Sequence, residues 1–127
     1  IILLSHLGEA SGPTSAQEMS SHYHLPQPMI ANILKQLAAS QLVESTRGVQ
    51  GGYVLQRQTD QISLAEIVRV IDGPFNFVEC AHEASECRVS ATCPTQTPLQ
   101  ALHGRLYEFM ESVTLENLIQ HHELQPV

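Results

Sequence analysis

The chain has 127 residues, of which 43% are hydrophobic, and a formal net charge of -7 at pH 7. This length suits one domain of ordinary size, or a small domain with an attached oligomerisation element. There is no run of about 18 apolar residues and no basic-then-apolar leader, so we expect no transmembrane helix, no export and a cytoplasmic location. The sequence begins within a helical pattern and without a methionine, so we expect further residues upstream of Ile1.

The negative charge is concentrated in the second half of the chain. Residues 1–57 carry three basic and three acidic side chains, whereas residues 58–127 carry three basic and ten acidic ones. A DNA-binding protein normally shows a basic footprint. The neutral first half is compatible with DNA binding through a few well-placed cations, with modest electrostatic affinity unless two copies act together.

The first 40 residues have the pattern of a helix-turn-helix. An apolar helix over residues 1–7 is followed by a second helix that starts at the capping box of Ser15 and Glu18. A third, longer helix opens near Pro28 and should run to about Ser40, with apolar residues at helical spacing. Two helices joined by a tight turn, the second of them longer, are typical of this motif.

A glycine-rich hairpin should follow the helix pair. Residues 42–47 are strand-like, residues 48–52 include three glycines, and residues 53–55 form a return strand. A helix-turn-helix followed by a hairpin is a winged helix, whose recognition helix enters the major groove while the wing lies over a minor groove. Alone, the glycines would indicate only a hairpin that needs positive φ angles.

The three cysteines of the chain, Cys80, Cys87 and Cys93, lie within 14 residues. Six and five intervening residues are too many for the paired knuckles of structural zinc sites, but they let a loop wrap thiolates around an iron-sulfur cluster. An odd number of cysteines also argues against a disulfide framework. The alternative is that the cysteines are unliganded or structurally buried.

Two further helices flank this loop. One should open at a second capping box, Ser63 with Glu66, and end near Asp72. The longest helix should open at Thr97 and carry an apolar seam at alternating spacings of three and four residues, made of Leu99, Leu102, Leu106, Phe109 and Val113. Such a seam predicts a homodimer formed by pairing the helix, with an ordinary core helix as the alternative.

Taken together, these motifs resemble the Rrf2 family of bacterial winged-helix transcription regulators, and in particular its regulators of iron-sulfur assembly genes. The resemblance covers nearly the whole chain. It rests on the cysteine triplet and on six short stretches of sequence: Leu25-Pro26-Gln27-Pro28, Ile33-Leu34-Lys35-Gln36-Leu37, Leu42-Val43, Arg47-Gly48-Val49-Gln50-Gly51-Gly52-Tyr53, Ile62-Ser63-Leu64-Ala65-Glu66-Ile67 and Asp72-Gly73-Pro74.

The resemblance implies a cluster, most often of the two-iron two-sulfur type, held by Cys80, Cys87 and Cys93. Some relatives place a histidine three residues after the third cysteine as fourth ligand, where this chain has Gln96. Other relatives take an acidic or histidine ligand from the partner's first helix, in the part expected upstream. Within the loop, His82, Glu83 and Glu86 are alternative ligands, although solvated loop charges are their default interpretation.

The resemblance also implies DNA contacts in both parts of the winged helix. Asn and Gln side chains can pair with adenine, which gives the recognition helix a means of reading bases. The candidate residues are Ser15 and Gln17 in the second helix, Gln27, Pro28, Met29, Asn32, Lys35 and Gln36 in the third, and Arg47, Gly48, Gly51, Gly52 and Tyr53 in the wing.

The sequence therefore predicts a mainly α fold with a small β-hairpin wing, in which a winged helix-turn-helix is followed by a long C-terminal dimerisation helix. We divide it into a DNA-binding domain at residues 1–74, a cysteine loop at 75–96, and a dimerisation helix and tail at 97–127. The expected function is a homodimeric regulator that binds a double-stranded DNA operator and senses cluster status. A nitric oxide or redox sensor of the same family, and a cluster-binding protein whose winged helix binds protein, are the alternatives. No catalytic constellation or cofactor fingerprint indicates an enzyme.

Overall fold

The computed structural model describes residues 1–81 and 87–120. It confirms the predicted winged helix-turn-helix followed by a long C-terminal helix. In chain order the elements are α1 (Ile2–Glu9), α2 (Ala16–Tyr23), α3 (Gln27–Ala39), β1 (Val43–Thr46), β2 (Gly52–Leu55), a 3-10 turn (Thr59–Gln61), α4 (Leu64–Asp72), a second 3-10 turn (Glu79–Ala81), α5 (Gln96–Ser112) and α6 (Leu115–Ile119).

The helix-turn-helix begins at the capping box that the sequence predicts. The Ser15 hydroxyl accepts a hydrogen bond from the Glu18 N–H at 3.1 Å, and the Glu18 carboxylate accepts one from the Ser15 N–H at 2.7 Å. His24 caps the C-terminus of α2, and its φ of 54° turns the chain toward α3. Pro28 lies in the first turn of α3, where a missing N–H costs no helical hydrogen bond.

One apolar core holds the winged helix together. It includes side chains of all three helices of the first half, the start of the hairpin, α4 and α6. The hairpin strands pair antiparallel, with Val43 opposite Leu55 and Thr46 opposite Gly52. The fully or nearly fully buried members of this core are Leu3, Leu4, Leu7, Met19, Ile30, Leu34, Leu37, Leu42, Val43, Ile62, Ile67 and Leu115.

Helix α4 begins differently from its sequence pattern. The Ser63 hydroxyl accepts a hydrogen bond from the Glu66 N–H at 3.1 Å, but the Glu66 carboxylate binds the Arg57 guanidinium at 2.5 Å instead of returning to the cap. The second predicted capping box is therefore only half formed, because a more distant cation competes for its carboxylate.

Helix α5 begins before the predicted cap. Its first residue is Gln96, Thr95 is the cap without a side-chain hydrogen bond, and Thr97 and Pro98 lie in the first turn. The predicted seam residue Val113 lies just after the helix and is 3% exposed within this single chain. Its carbonyl accepts a hydrogen bond from the Leu64 N–H at 2.8 Å. Val113 therefore belongs to the interior of the protomer, and its assignment to a dimer interface was wrong.

None of the helices in the described parts of the chain is both long enough and apolar enough to cross a membrane.

Candidate nucleic-acid interface and cysteine loop

The outer face of α3 carries most of the predicted base-reading residues. Pro28, Asn32 and Lys35 follow one another at helical spacing on the side opposite the buried Ile30 and Leu34, and all three are exposed. Gln27 and Gln36 flank this line and are exposed as well. The helix therefore presents three side-chain amides, from two glutamines and one asparagine, and one lysine to solvent. These hydrogen-bond donors and acceptors suit the edges of DNA bases.

Met29 lies at the edge of that face, between Gln36 and Ile33 around the helix. Its side chain, 44% exposed, lines an apolar groove of about 330 Å³ between α1, α3 and α4, together with Ile2, Ile33 and Ile71. A methionine is flexible enough to fill apolar space of this kind. The base contact of Met29 stays a prediction.

The tip of the wing is exposed and shaped by glycine. Arg47 directly follows β1 and is exposed, as is Val49 at the tip. Gly48 has a φ of 120°, which side-chain-bearing residues rarely adopt. The Gly51 N–H donates to the Gly48 carbonyl at 3.0 Å. This tight turn holds the only cation of the wing at the solvent-facing end of β1.

A backbone bridge ties the wing to the start of the helix-turn-helix. The Thr14 N–H donates to the Tyr53 carbonyl at 3.1 Å, and the Tyr53 N–H donates to the Thr14 carbonyl at 2.8 Å. A Cβ on Gly52 would lie 2.5 Å from the Thr14 carbonyl carbon, so only glycine allows this approach. The side chain of Tyr53 packs against the core. Gly52 and Tyr53 thus position the wing, a role that their pattern alone did not reveal.

The wing tip and the start of α2 border a polar cleft of about 610 Å³. Ser15 and Gln17 line one side of the cleft, and Gln50 and Gly51 line the other. The structure thereby brings the predicted residues of α2 close to those of the wing. Hydrogen bonds from the backbone and side chain of Ser15 lower the pKa of Glu18, which also borders the cleft and stays ionised at neutral pH.

The three cysteines remain thiols, without a disulfide between them. Cys80 is 8% exposed, whereas Cys87 and Cys93 are half-buried. The Cys93 sulfur lies 3.2 Å from the Thr95 hydroxyl. Hydrogen bonds from the side chain and backbone of Thr95, with a smaller contribution from the backbone of Gln96, lower the pKa of Cys93. Cys93 therefore forms the thiolate, which is the form that binds soft metals, more readily than an ordinary cysteine does.

The donor set of this loop fits an iron-sulfur cluster by its chemistry. Thiolates are the preferred ligands of such clusters, and one of the three is already biased toward deprotonation. Across residues 1–81 and 87–120, no three His, Cys, Asp or Glu side chains are gathered closely enough to hold a metal ion. The alternative ligands His82, Glu83 and Glu86 lie outside the described residues.

Helix α5 is poorly covered by the rest of the protomer. None of its 17 residues is buried, Leu102 is 42% exposed, and Leu99, Leu106 and Phe109 are half-buried. Among the described residues, its main contacts are with α4 and the 3-10 turn at Cys80. Four of the five predicted seam residues are therefore incompletely buried in a single chain.

Two α5 residues that sequence reasoning passed over contact the start of the cysteine loop. The Gln100 amide donates to the Cys80 carbonyl at 2.6 Å, and the Phe77 N–H donates to Nδ1 of His103 at 3.4 Å. The His103 ring also stacks on Phe75. Their spacing of three residues places both on one side of a helix, which is the only signal of this role in the sequence.

Known proteins resemble this chain along almost its entire length. Residues 1–121 match the Rrf2 family model, described as an iron-dependent transcriptional regulator. The regulator IscR of Sodalis glossinidius is 27% identical over 121 residues, which is 95% of this chain and 73% of that protein. The regulator CymR of Bacillus subtilis is 31% identical over 108 residues, covering 84% of this chain and 72% of the relative.

Solved structures lead to the same family. The structure of CymR, the global cysteine regulator of B. subtilis, matches with a TM-score of 0.75 and 25% identity, over 95% of this chain and 90% of that one. IscR of T. potens matches with a TM-score of 0.71 and 24% identity, over 98% and 83% of the two chains, which shows the shared fold. The relatives are transcription regulators rather than enzymes. The chain belongs to the Rrf2 family of DNA-binding transcription regulators.

Proposed function

We propose that this protein is a homodimeric transcription regulator whose DNA binding responds to a two-iron two-sulfur cluster held by Cys80, Cys87 and Cys93. One observation carries the proposal: the three thiols lie in the segment that joins α4, which packs on α3, to the poorly covered helix α5. The target genes that we propose are those of iron-sulfur cluster assembly. The description of the family as iron-dependent supports this choice.

The proposed DNA contacts come from three surfaces. Asn32 and Gln36 of α3 would pair with adenine edges in the major groove, and Lys35 would contact guanine or phosphate. Arg47 at the wing would enter the minor groove, where negative potential attracts guanidinium groups. Ser15, Gln17 and Gln27, together with the backbone at Gly48 and Gly51, would contact the sugar-phosphate backbone.

The net charge supports a dimer as the DNA-binding form. A protomer with a charge of -7 has few cations to offer phosphates, so a single copy would bind weakly. Two copies would double the contacts and place two recognition helices about 34 Å apart, the spacing of successive major grooves. Pairing of α5 through Leu99, Leu102, Leu106 and Phe109 would cover the seam that one chain leaves partly exposed.

A cluster bound at this site would make the conformation of the cysteine loop depend on whether the cluster is present and on its oxidation state. Cys93 is prepared for ligation by its lowered pKa. Cys80 would bind from a buried position anchored to α5. Gln96 cannot serve as well as a histidine, so a fourth ligand must come from elsewhere.

A spectrum of protein purified without oxygen, with iron and sulfide assays, tests the cluster. We expect absorption near 400 nm and about two irons and two sulfides per chain, by the cluster chemistry that thiolate loops support. Cys87→Ala should abolish both, whereas Ser90→Ala in the same loop should not. A colourless wild-type protein that resists reconstitution would refute the cluster.

Fluorescence anisotropy with an operator fragment tests the wing contact. Arg47→Ala should weaken binding by about 1–3 kcal/mol and reduce the salt dependence, because one cation leaves the groove. Arg69→Ala at an exposed position of α4 removes the same charge outside the proposed DNA contacts and should leave affinity nearly unchanged. Equal losses in the two variants would indicate a general charge effect and argue against a wing contact.

The lowered pKa of Cys93 favours one second candidate, a regulator of the same family that senses oxidants or nitric oxide. A half-buried thiol with a lowered pKa is the type that reacts with oxidants. In that case the apo protein would change its DNA affinity on treatment with peroxide, and Cys93→Ser would abolish the response without any cluster being present.

A further inference from the structure

Two side chains of α5 form hydrogen bonds with the backbone of the cysteine loop. Gln100 Nε2 donates to the Cys80 carbonyl at 2.6 Å. One turn further along, His103 Nδ1 accepts from the Phe77 N–H at 3.4 Å, and its ring stacks on Phe75 with centroids 5.3 Å apart and planes 16° apart. Two side chains of one helix thus contact the segment from Phe75 to Cys80 in three ways.

These contacts act close to the sulfur of the first cysteine. A hydrogen bond to the Cys80 carbonyl restrains the peptide plane next to the carbon that bears the thiol side chain. Cys80 is also the most buried of the three cysteines, at 8% exposure. The amide of Gln100 therefore acts on both the direction of the Cys80 side chain and its access to solvent.

The same helix carries the proposed dimer seam. At about 100° per residue, Gln100 is displaced around the helix from Leu99, Leu102 and Leu106. His103 borders the seam, because it lies four residues after Leu99 and three before Leu106. A displacement of the cysteine loop would thus act directly on α5, the helix through which two copies would meet. No other element needs to transmit the displacement.

We propose that Gln100 is a positioning residue for Cys80, with His103 as the second attachment point, and that this pair couples the state of the cysteine loop to α5. The coupling rests on the proposed function, whereas the positioning of Cys80 stands on the contacts alone. The two parts can therefore be tested separately.

Site-resolved alkylation of the reduced, metal-free protein tests the positioning. Gln100→Met keeps the length and helix propensity of the side chain but removes the amide donor. We expect N-ethylmaleimide to label Cys80 faster by roughly three- to tenfold, the factor that corresponds to losing one neutral hydrogen bond. Labelling of Cys93 in the same molecules should keep its rate. Gln58→Met, at an exposed position before the 3-10 turn, is the matched control and should change neither rate.

A second variant keeps the test decisive if Gln100→Met perturbs folding. His103→Phe retains a ring to stack on Phe75 and removes the Nδ1 acceptor, so Cys80 labelling should again accelerate. Melting curves would verify that each variant is folded. An unchanged Cys80 rate in both folded variants would overturn the positioning role.

The coupling is tested by the ratio of DNA affinities of cluster-loaded and metal-free protein. In wild type this ratio should differ from one, and in Gln100→Met it should move toward one by roughly threefold or more, as expected for loss of one hydrogen bond in the link. An unchanged ratio in a variant that still loads cluster would refute the coupling. If wild type itself fails to load, the proposed function fails, and the alkylation rates still decide the positioning.

Discussion

Replacement of Gly52 by alanine should disconnect the wing from the helix-turn-helix. The new Cβ would meet three backbone atoms, at 2.5 Å and 2.7 Å for the Thr14 carbonyl carbon and oxygen and 2.8 Å for the Ser15 nitrogen. Backbone atoms cannot rotate away as the end of a side chain can, so the hairpin or the start of α2 must move. The two hydrogen bonds between Thr14 and Tyr53 span the same gap and should be weakened or lost.

The structure allows the cost to be worked out. Overpacking of a close contact typically costs about 1–3 kcal/mol, and each of the two hydrogen bonds contributes about 0.5–1.5 kcal/mol net. Since the clash is relieved partly by breaking the bridge, we expect a loss of about 2–4 kcal/mol in the free energy of unfolding. For a chain of this length that corresponds to a fall of roughly 6–15 °C in melting temperature.

Thermal unfolding followed by circular dichroism measures this effect. Gly12→Ala is the matched control, because a Cβ there meets nothing within 4 Å and exposed substitutions usually stay within about 0.5 kcal/mol. Operator affinity should fall along with stability in Gly52→Ala, because Arg47 would lose its fixed position. If the two alanine variants melted within about a degree of each other, the close approach would not limit the fold, which would refute the reasoning.

Three further predictions concern single residues. Gly104→Ala should raise the free energy of unfolding by about 0.5–1 kcal/mol, because Gly104 is helical with open space around its Cβ position; loss of stability on chemical denaturation would mean that a partner copy packs there. Because hydrogen bonds from Ser15 lower the pKa of Glu18, their stabilisation should be complete above the ordinary value of 4.5 and be lost as the pH falls through the lower folded value. Glu18→Gln should flatten the melting temperature against pH in this acid range, and an unchanged profile would contradict the assignment. The pH midpoint of Cys93 alkylation should lie below that of an ordinary thiol and rise in Thr95→Val, and an identical midpoint would exclude the hydroxyl as its cause.

The sequence predicted those helices and strands that are determined by interactions between residues close together in the chain. The Ser15 box, the position of α3 and the hairpin follow from residues only a few positions apart, and the structure confirms them. The beginning of α5 was placed too late, at Thr97, whereas the helix begins at Gln96. Gln100, which sequence reasoning passed over, binds the carbonyl of Cys80. That contact spans 20 residues and leaves no trace in local spacing.

The same limit applies to the site residues. Asn32 and Lys35 are exposed as their helical spacing requires. Met29 also lines an apolar groove formed with α1 and α4, which its spacing alone does not reveal. Val113 continues the seam in sequence but lies beyond the end of the helix, where its backbone joins α4. Periodicity places a residue on one side of an element, whereas only the packed fold decides what that side faces.

The double backbone bridge between Thr14 and Tyr53 limits how this protein can be regulated. A freely hinged wing would let each protomer adjust its minor-groove contact separately, so that a change at the loop could be absorbed before it reached the operator. Here the bridge fixes the wing to the helix pair, so the two move together. In the dimer that we propose, a signal from the cysteines would therefore change the distance and angle between the two winged helices. The effect of that change on DNA binding would depend on the spacing of the operator half-sites.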